Sequence, residues 1–438
     1  MTSALFDKYA PIIRNSKSVR AIGRVVQVTG LVIESEGPQA PVGEVCSLKD
    51  RAGNEVCKSE IIGFRDSRIL SMVLGDIHDI EPGMEIVALG TKLEVQVGEN
   101  LLGRVLDGLG QPLDGKGKLT SVLRRSVYAQ PPNPLMRRRI NEPLITGVRA
   151  IDSTLTIGKG QRVGIFAGSG VGKSTLMGMI ARYTMADVNV IALIGERGRE
   201  VRDFIEESLG EEGMRRTVIV VATSDMPPLV RSKAPLVAMT IAEFFRDQGL
   251  DIMLMMDSVT RLSMAQREIG LTVGEPPTTK GYPPSVFTTM PKLMERAGTS
   301  DIGSITGLYT VLVEGDDMNE PIADMARGIL DGHFVLTRKL AAMGHFPAID
   351  ILESISRLMK EVAHPEHKKS AQQLRMLLSA YRENEDMISV GAYSHGANAL
   401  VDKSIKMQED IKRFLQQAVE DPTDFGDTIE WMKAITDS

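Results

Sequence analysis

Ten consecutive residues, Phe166-Ala167-Gly168-Ser169-Gly170-Val171-Gly172-Lys173-Ser174-Thr175, constrain the fold more than any other stretch of the chain. An apolar run from Arg162 to Phe166 leads in and a helical pattern from Lys173 to Met185 leads out, so the glycines fall where a strand turns into a helix. Glycine lets backbone N–H groups approach an anion closely, and a helix N-terminus adds partial positive charge. Such a turn cradles phosphates. The amides of Gly168, Ser169, Gly170, Val171 and Gly172 line it, Lys173 reaches the β- and γ-phosphates, the Ser174 hydroxyl ligates Mg2+, and Thr175 continues into the helix. Ala167 stands where the motif usually has its first glycine, a mild departure because alanine is small and three glycines remain.

A phosphate loop of this kind belongs in a mostly parallel sheet, which binds ligands at the carboxyl ends of its strands. Residues 148–331 supply one. Apolar runs at Arg162 to Phe166, Val188 to Ile194, Thr217 to Ala222, Ile252 to Met256 and Leu308 to Val313 alternate with helical patterns at Lys173 to Met185, Val201 to Leu209 and Leu236 to Phe245. From Arg20 to about Gly90 short apolar runs (Val25 to Val28, Leu31 to Ile33, Arg68 to Leu74, Glu85 to Leu89) are punctuated by Gly, Pro and Asp, the pattern of a small β-barrel. After Met359 the spacing turns helical, at Ser370 to Tyr381, Asn398 to Ala418 and Thr428 to Ile435. The expected fold is α/β: an N-terminal β-barrel (19–90), a P-loop NTPase core (91–362) and a C-terminal helical domain (363–438), preceded by a short amphipathic segment (1–18).

Composition narrows the function. The chain has 438 residues, 42% hydrophobic and 25% charged, ordinary globular usage that excludes disorder and fits about three domains. Its net charge of −6 provides no general positive field for nucleic acid or an anionic membrane. Cys46 and Cys57 are too few for a zinc site or a disulfide framework, which suits a reducing compartment. The first twenty residues lack a signal peptide's apolar run, and no apolar stretch is long enough to span a bilayer. A cytoplasmic protein that meets membrane only through partners is expected.

Phosphoryl chemistry requires further groups. Asp257, closing the apolar run Leu250 to Met256, is the second magnesium anchor. Glu196, in the turn Gly195-Glu196-Arg197-Gly198-Arg199-Glu200 that ends the strand after the phosphate-loop helix, is the candidate to activate water, although a glutamate among arginines also fits a surface ion pair. His364 and His367, separated by Pro365, read as a surface turn rather than a metal site. Arg137 to Arg139 lack a nearby aromatic-rich basic face and read as interdomain ion pairs rather than an RNA site.

Taken together these motifs resemble the rotary ATPase family. Pro347-Ala348-Ile349-Asp350-Ile351-Leu352-Glu353-Ser354-Ile355-Ser356 is similar to the family signature. Asp257-Ser258-Val259-Thr260-Arg261, Ala265 to Gly270, Gly274-Glu275-Pro276-Pro277, Gly281 to Phe287, Val313 to Met318 and Ile329 to His333 resemble its type III export branch. Leu102 to Gly110 and Gly391-Ala392-Tyr393 look more like the flagellar enzymes than the virulence injectisome ones. The likeness covers residues 20–420.

The resemblance implies a RecA-like core that hydrolyses ATP with Mg2+. It implies that Lys173 and Ser174 hold phosphate and magnesium, that Glu196 polarises the attacking water, and that Glu200 and Asp257 hold magnesium. Arg197 and Arg261 match arginines near the γ-phosphate, and Arg357 matches an arginine finger that reaches a neighbouring subunit's nucleotide. Phe346 stands where relatives have tyrosine against adenine; the stacking face survives and the hydroxyl is lost. Because Glu196 and Arg357 occur in one polypeptide, a homo-oligomeric ring follows, a hexamer by family likeness. The implied partners are a stator-like regulator on residues 1–18, a central stalk near Gly270 to Tyr282 and near Asp316, Asp317 and Glu320, the export gate, chaperones and substrates. An injectisome ATPase, an RNA-dependent hexameric helicase and a non-hydrolysing assembly subunit are the rival readings; the intact Lys173, Glu196 and Asp257 speak against the last.

Overall fold

The computed structural model describes residues 21–75, 77, 79–313, 315 and 317–437. The segment 1–18 and Asp316, both expected to meet partners, lie outside the described residues. The chain divides into two compact units: the described residues up to Glu94 with Ile269–Glu275, and Val95–Glu268 with Pro276 onward. The first part of the glycine- and proline-rich stretch thus groups with the first unit, and the helix Val259–Val273 runs into it.

In the first unit β1 (Ile22–Thr29), β2 (Val32–Glu36), β3 (Glu44–Lys49), β4 (Glu55–Arg65), β5 (Arg68–Val73) and β6 (Glu85–Lys92) close a barrel in the order β1-β2-β5-β4-β3-β6. Closure leaves no unpaired sheet edge. Val25, Ile33, Cys46, Leu48, Ile61, Ile69 and Ile86 fill the interior. Sequence pattern indicates four of these strands. It misses β3 and β4, whose apolar residues are interrupted by serines small enough to be buried, Ser47 and Ser59.

The second unit carries β7 (Val105–Asp107), α1 (Arg149–Thr154), β8 (Arg162–Ala167), α2 (Lys173–Tyr183), β9 (Val188–Ile194), β10 (Thr217–Ala222), α3 (Pro228–Arg246), β11 (Asp251–Asp257), β12 (Ser304–Leu312), β13 (Gly332–Leu336), β14 (Ile349–Ser356), α4 (Pro365–Ser389), α5 (Ala399–Leu415) and α6 (Phe425–Asp437). Its nine-stranded sheet runs β14-β13-β8-β12-β11-β9-β10-β7, with Gly298–Thr299 paired to β12. From β13 to β7 every pairing is parallel. Every residue of β9 and β10 is buried, which explains their unbroken apolar runs.

Several elements differ from expectation for physical reasons. Helix α3 starts at Pro228 rather than Leu236: a proline in the first turn has no N–H to satisfy, and Pro235 is accepted in the interior. The helix expected at Val201 starts at Gly198 and passes into a wider π-type helix at Phe204–Leu209. Strand β12 begins at Ser304, earlier than its apolar run. Strands β7, β13 and β14 were not indicated; β14 alternates acids and serines with apolar residues and pairs antiparallel on one side only.

Two side-chain readings are corrected. His367 is no surface turn: it is buried, with its ring Nε2 2.7 Å from the Ser153 carbonyl, and ties α4 to α1. Arg137 and Arg138 do not form interdomain pairs; they donate to the carbonyls of Glu295, Ala297 and Ser300 in the same unit.

Helix α3 is anchored by a buried ion pair. Arg296 donates to both carboxylate oxygens of Glu243, at 2.8 and 2.7 Å, and to the Val127 carbonyl at 2.7 Å. Both side chains are almost fully enclosed. Replacing Glu243 by Ala leaves a buried guanidinium unpaired and should cost about 3–5 kcal/mol. The expected readout is a lower urea midpoint for the second unit; a midpoint equal to wild type would contradict the assignment.

Candidate active site

The sheet register brings the chemistry to one rim. Ala167 pairs with Leu312, Met256 with Tyr309 and Leu193 with Asp257, so the carboxyl ends of β8, β12, β11 and β9 lie side by side. The phosphate loop leaves β8 at this rim. Gly170 and Gly172 sit at φ 78° and 87°, left-handed backbone that an L side chain resists. Gly172 caps α2, Lys173 is its first residue, and Ser174 and Thr175 are exposed beside it. Of the preceding loop residues, Gly168 and Val171 are buried, while Ser169 and Gly170 are open to solvent.

Lys173 turns back over the rim. Its Nζ is bonded to Asp257 Oδ1 and lies 3.8 Å from Glu196 Oε1. Asp257 is buried and also accepts from the Thr310 hydroxyl at 2.7 Å, which fixes the carboxylate plane. Burial raises the Glu196 carboxyl to about 7; the Asp257 charge and a hydrogen bond with Glu200 add to this, while Lys173 and Arg261 oppose it. Glu200 moves the other way, held down first by the hydrogen bond from Glu196. Glu196 is thus the proton-holding member of the pair, and the surface ion-pair alternative belongs to its neighbours: Arg197, 81% exposed, pairs with Glu200 at 3.2 Å.

Arg261, on the helix Val259–Val273, packs its aliphatic stem against Gly195, where an added β-carbon would lie 3.0 Å from the Arg261 Cβ. Its Nε is buried with no hydrogen-bond partner. Phe346 stands across the loop, its ring 3.5 Å from the point where a Gly172 β-carbon would be. Beside Phe346 a cavity of about 490 Å³ is lined by Arg149, Gln416, Gln417, Ala418 and Trp431.

Arg357 is elsewhere. Strand β14 runs against β13, pairing Ile349 with Leu336 at one end and Ser356 with Gly332 at the other. Leu336 lies beside Ala167 at the phosphate rim, so Arg357 leaves the sheet at the opposite rim, roughly 15 Å away along the strand. It is exposed, donates to the Arg327 carbonyl at 3.2 Å, and borders a cavity of about 830 Å³ with Lys360, Arg375 and Met376.

The rim therefore assembles Lys173, Ser174, Glu196, Glu200, Asp257, Arg261 and Phe346, and leaves Arg357 out. Thr310, Arg149 and Gln417 were not indicated by sequence; only the pairing of β12 beside β11 would have marked Thr310 as a neighbour of Asp257.

The nucleotide-binding domain of the ATP synthase alpha/beta family matches residues 147–356, that family's beta-barrel domain matches 25–90, and the T3SS EscN ATPase C-terminal domain matches 363–434. The flagellum-specific ATP synthase of Bacillus subtilis (strain 168) is 52% identical over 437 residues, 99% of each chain. The type 3 secretion system ATPase of Xanthomonas euvesicatoria is 49% identical over 95% of each chain. The assembled ATPase EscN from the enteropathogenic E. coli type III secretion system has a similar structure (TM-score 0.89, 44% identity, 94% of this chain and 100% of that chain). So has EscN in complex with its central stalk EscO (TM-score 0.88, 44% identity, the same coverage).

Infrared difference spectra across pH should show a carboxyl band with a midpoint near 7 that disappears in Glu196→Gln. Replacing Lys173 by Met removes a charge that lowers this value, so the midpoint should move up; a downward move would contradict the arrangement.

Proposed function

Because the chain belongs to the ATP synthase alpha/beta family, in the branch of the flagellum-specific ATP synthases and type III secretion ATPases, we propose that it is an ATPase that powers protein export through the flagellar type III apparatus as a homohexameric ring. The observation that carries the ring is the division of one active site between the two rims of a single chain: Glu196 stands at one and Arg357 at the other. An arginine that cannot reach its own loop serves the next subunit's.

In this reading the amides of Gly168 to Gly172 and the Lys173 ammonium bind the phosphates of ATP, and Thr175 extends the amide row into α2. Phe346 stacks on adenine. Ser174, Asp257 and Glu200 offer only oxygen donors, which suits Mg2+, and among the described residues no three His, Cys, Asp or Glu side chains form a closed metal cage. When bound, the ion would supply positive charge against the phosphate oxygens. Glu196 orients the attacking water and takes its proton. The orphaned Nε of Arg261 is a donor available to a phosphate oxygen, exposed Arg197 is paired with Glu200 beside the rim, and Arg357 arrives from the neighbour.

The partners in this reading are a central stalk, a stator-like regulator on residues 1–18, the export gate, chaperones and substrates. The stalk faces Gly270 to Tyr282 and the turn at Asp317, where Lys280 pairs with Asp317 at 3.6 Å. The protein works in the cytoplasm against the inner membrane, held there by partners; among the described residues no helix is long and apolar enough to cross a membrane. An RNA-dependent helicase is disfavoured because Arg137 and Arg138 are engaged with backbone carbonyls.

Two measurements test this reading. Glu196→Gln and Arg357→Ala should each lose about 10²–10⁴-fold in turnover alone, yet mixed in equal amounts they should recover about a quarter of the wild-type sites. In the mixture, an Arg357→Ala subunit supplies Glu196 beside a Glu196→Gln subunit that supplies Arg357; no recovery would remove the shared site. In the second, Glu196 must be ionised to take a proton, so kcat/KM should fall about tenfold per pH unit below 7. An acid limb at pH 4–5 would instead point to an ordinary exposed carboxylate.

A further inference from the structure

Phe346 is carried by the loop before β14, whereas Gln416, Gln417 and Ala418 follow α5 and belong to no helix or strand. The gap between them, the cavity of about 490 Å³, falls within the range of small-molecule pockets. Nothing in local secondary structure sets its width. Two buried side chains do.

Arg149, the first residue of α1, is 5% exposed and spends its whole fork on the end of α5 and the segment after it. Nε donates to the Phe414 carbonyl at 3.0 Å, one terminal nitrogen to the Gln416 carbonyl at 2.5 Å, and the other to Asp421 Oδ2 at 3.2 Å and Thr423 Oγ1 at 2.6 Å. Its flat face lies 5.2 Å from the Trp431 ring on α6. Gln417 completes the bridge. Its Oε1 accepts from the Arg149 N–H at 2.8 Å, its Nε2 donates to the carbonyls of Gly147 at 2.8 Å and Asp421 at 2.7 Å, and its own N–H donates to the Phe346 carbonyl at 2.9 Å. Beneath the turn, buried Asp152 accepts from the N–H groups of Thr146 and Gly147, fixing the carbonyl that Gln417 grips.

We infer that Arg149 and Gln417 are positioning residues for the purine base: they set the spacing between Phe346 and residues 416–418 and thereby couple base binding to helices α5 and α6. The inference rests on the reading of this cavity as the base subsite. A lysine at 149 keeps the charge but not the planar fork, so it cannot hold four acceptors at once. Linkage makes the coupling reciprocal: a base in the gap stabilises the docked helices, whereas a ligand that fills only the phosphate loop does not.

The test is calorimetric titration of the full-length protein with magnesium ADP and with magnesium pyrophosphate, for wild type, Gln417→Ala, Arg149→Lys and Phe346→Ala. In Gln417→Ala and Arg149→Lys the affinity for ADP should fall about tenfold while pyrophosphate affinity stays within about twofold. In wild type, ADP should slow amide exchange across residues 414–423 and pyrophosphate should not. The inference is overturned if ADP binding is unchanged, if both ligands weaken together, or if both slow exchange equally. Should Arg149→Lys fail to fold, Gln417→Ala decides alone. Phe346→Ala separates the two readings: if its loss leaves ADP binding unchanged, the base subsite itself is misplaced, and if it alone weakens ADP, the subsite stands and the positioning pair falls.

Discussion

One ammonium group organises the catalytic rim. Lys173 carries its charge from the start of α2 to a point bonded to Asp257 and 3.8 Å from Glu196, so charge from three chain segments meets in a partly enclosed space. Two carboxylates so close would repel each other without a cation, and the cation could not be buried without them. The outcome is division of labour. Asp257, fixed by Thr310, is the partner of the ammonium, while Glu196, further from it and enclosed, takes up a proton near neutrality. In the proposed reading a nucleotide's phosphates compete for Lys173, so binding substrate would loosen its contact with Asp257.

The sheet and helical packing of the second unit give this rim a rigid frame. The parallel strands from β13 to β7 place their carboxyl ends in register, and α1, α4 and α5 fasten to one another through buried polar contacts such as His367 to Ser153 and Arg149 to the Phe414 carbonyl. Each such contact replaces water around a polar group and is costly to break from one side only. The frame is therefore stiff where such side chains interlock, as Arg149 and Gln417 do around residues 416–418.

Legibility in the sequence follows the range of the interaction that fixes each feature. Lys173, Ser174 and Asp257 could be read because their chemistry depends on a short spacing and on an apolar strand. β9 and β10 could be read because burial on both faces demands an unbroken apolar run. From its own turn Glu196 was legible only as one of two alternatives, and it was the family resemblance that favoured the water-activating role. β3, β4 and β14 escaped because their inward polar residues are satisfied, or small enough to bury, only after the sheet has formed. Thr310, Arg149 and Gln417 lie outside any local pattern; the residues they serve are 53, 265 and 71 positions away in the chain, and only the folded chain brings them together.

The separation of Arg357 from Glu196 gives the subunit a front and a back. In the proposed assembly, where Arg357 serves the next subunit's phosphate loop, contacts are head-to-tail, and a head-to-tail contact either closes into a ring or continues as an open string. A string always ends in one phosphate loop without a finger and one finger without a phosphate loop. Closing it converts those two loose ends into one more working site, so completion of the ring is itself a gain in catalytic capacity that no smaller assembly achieves. A polypeptide that keeps both halves of its machinery on opposite faces thereby carries, in its own geometry, a way of counting its neighbours.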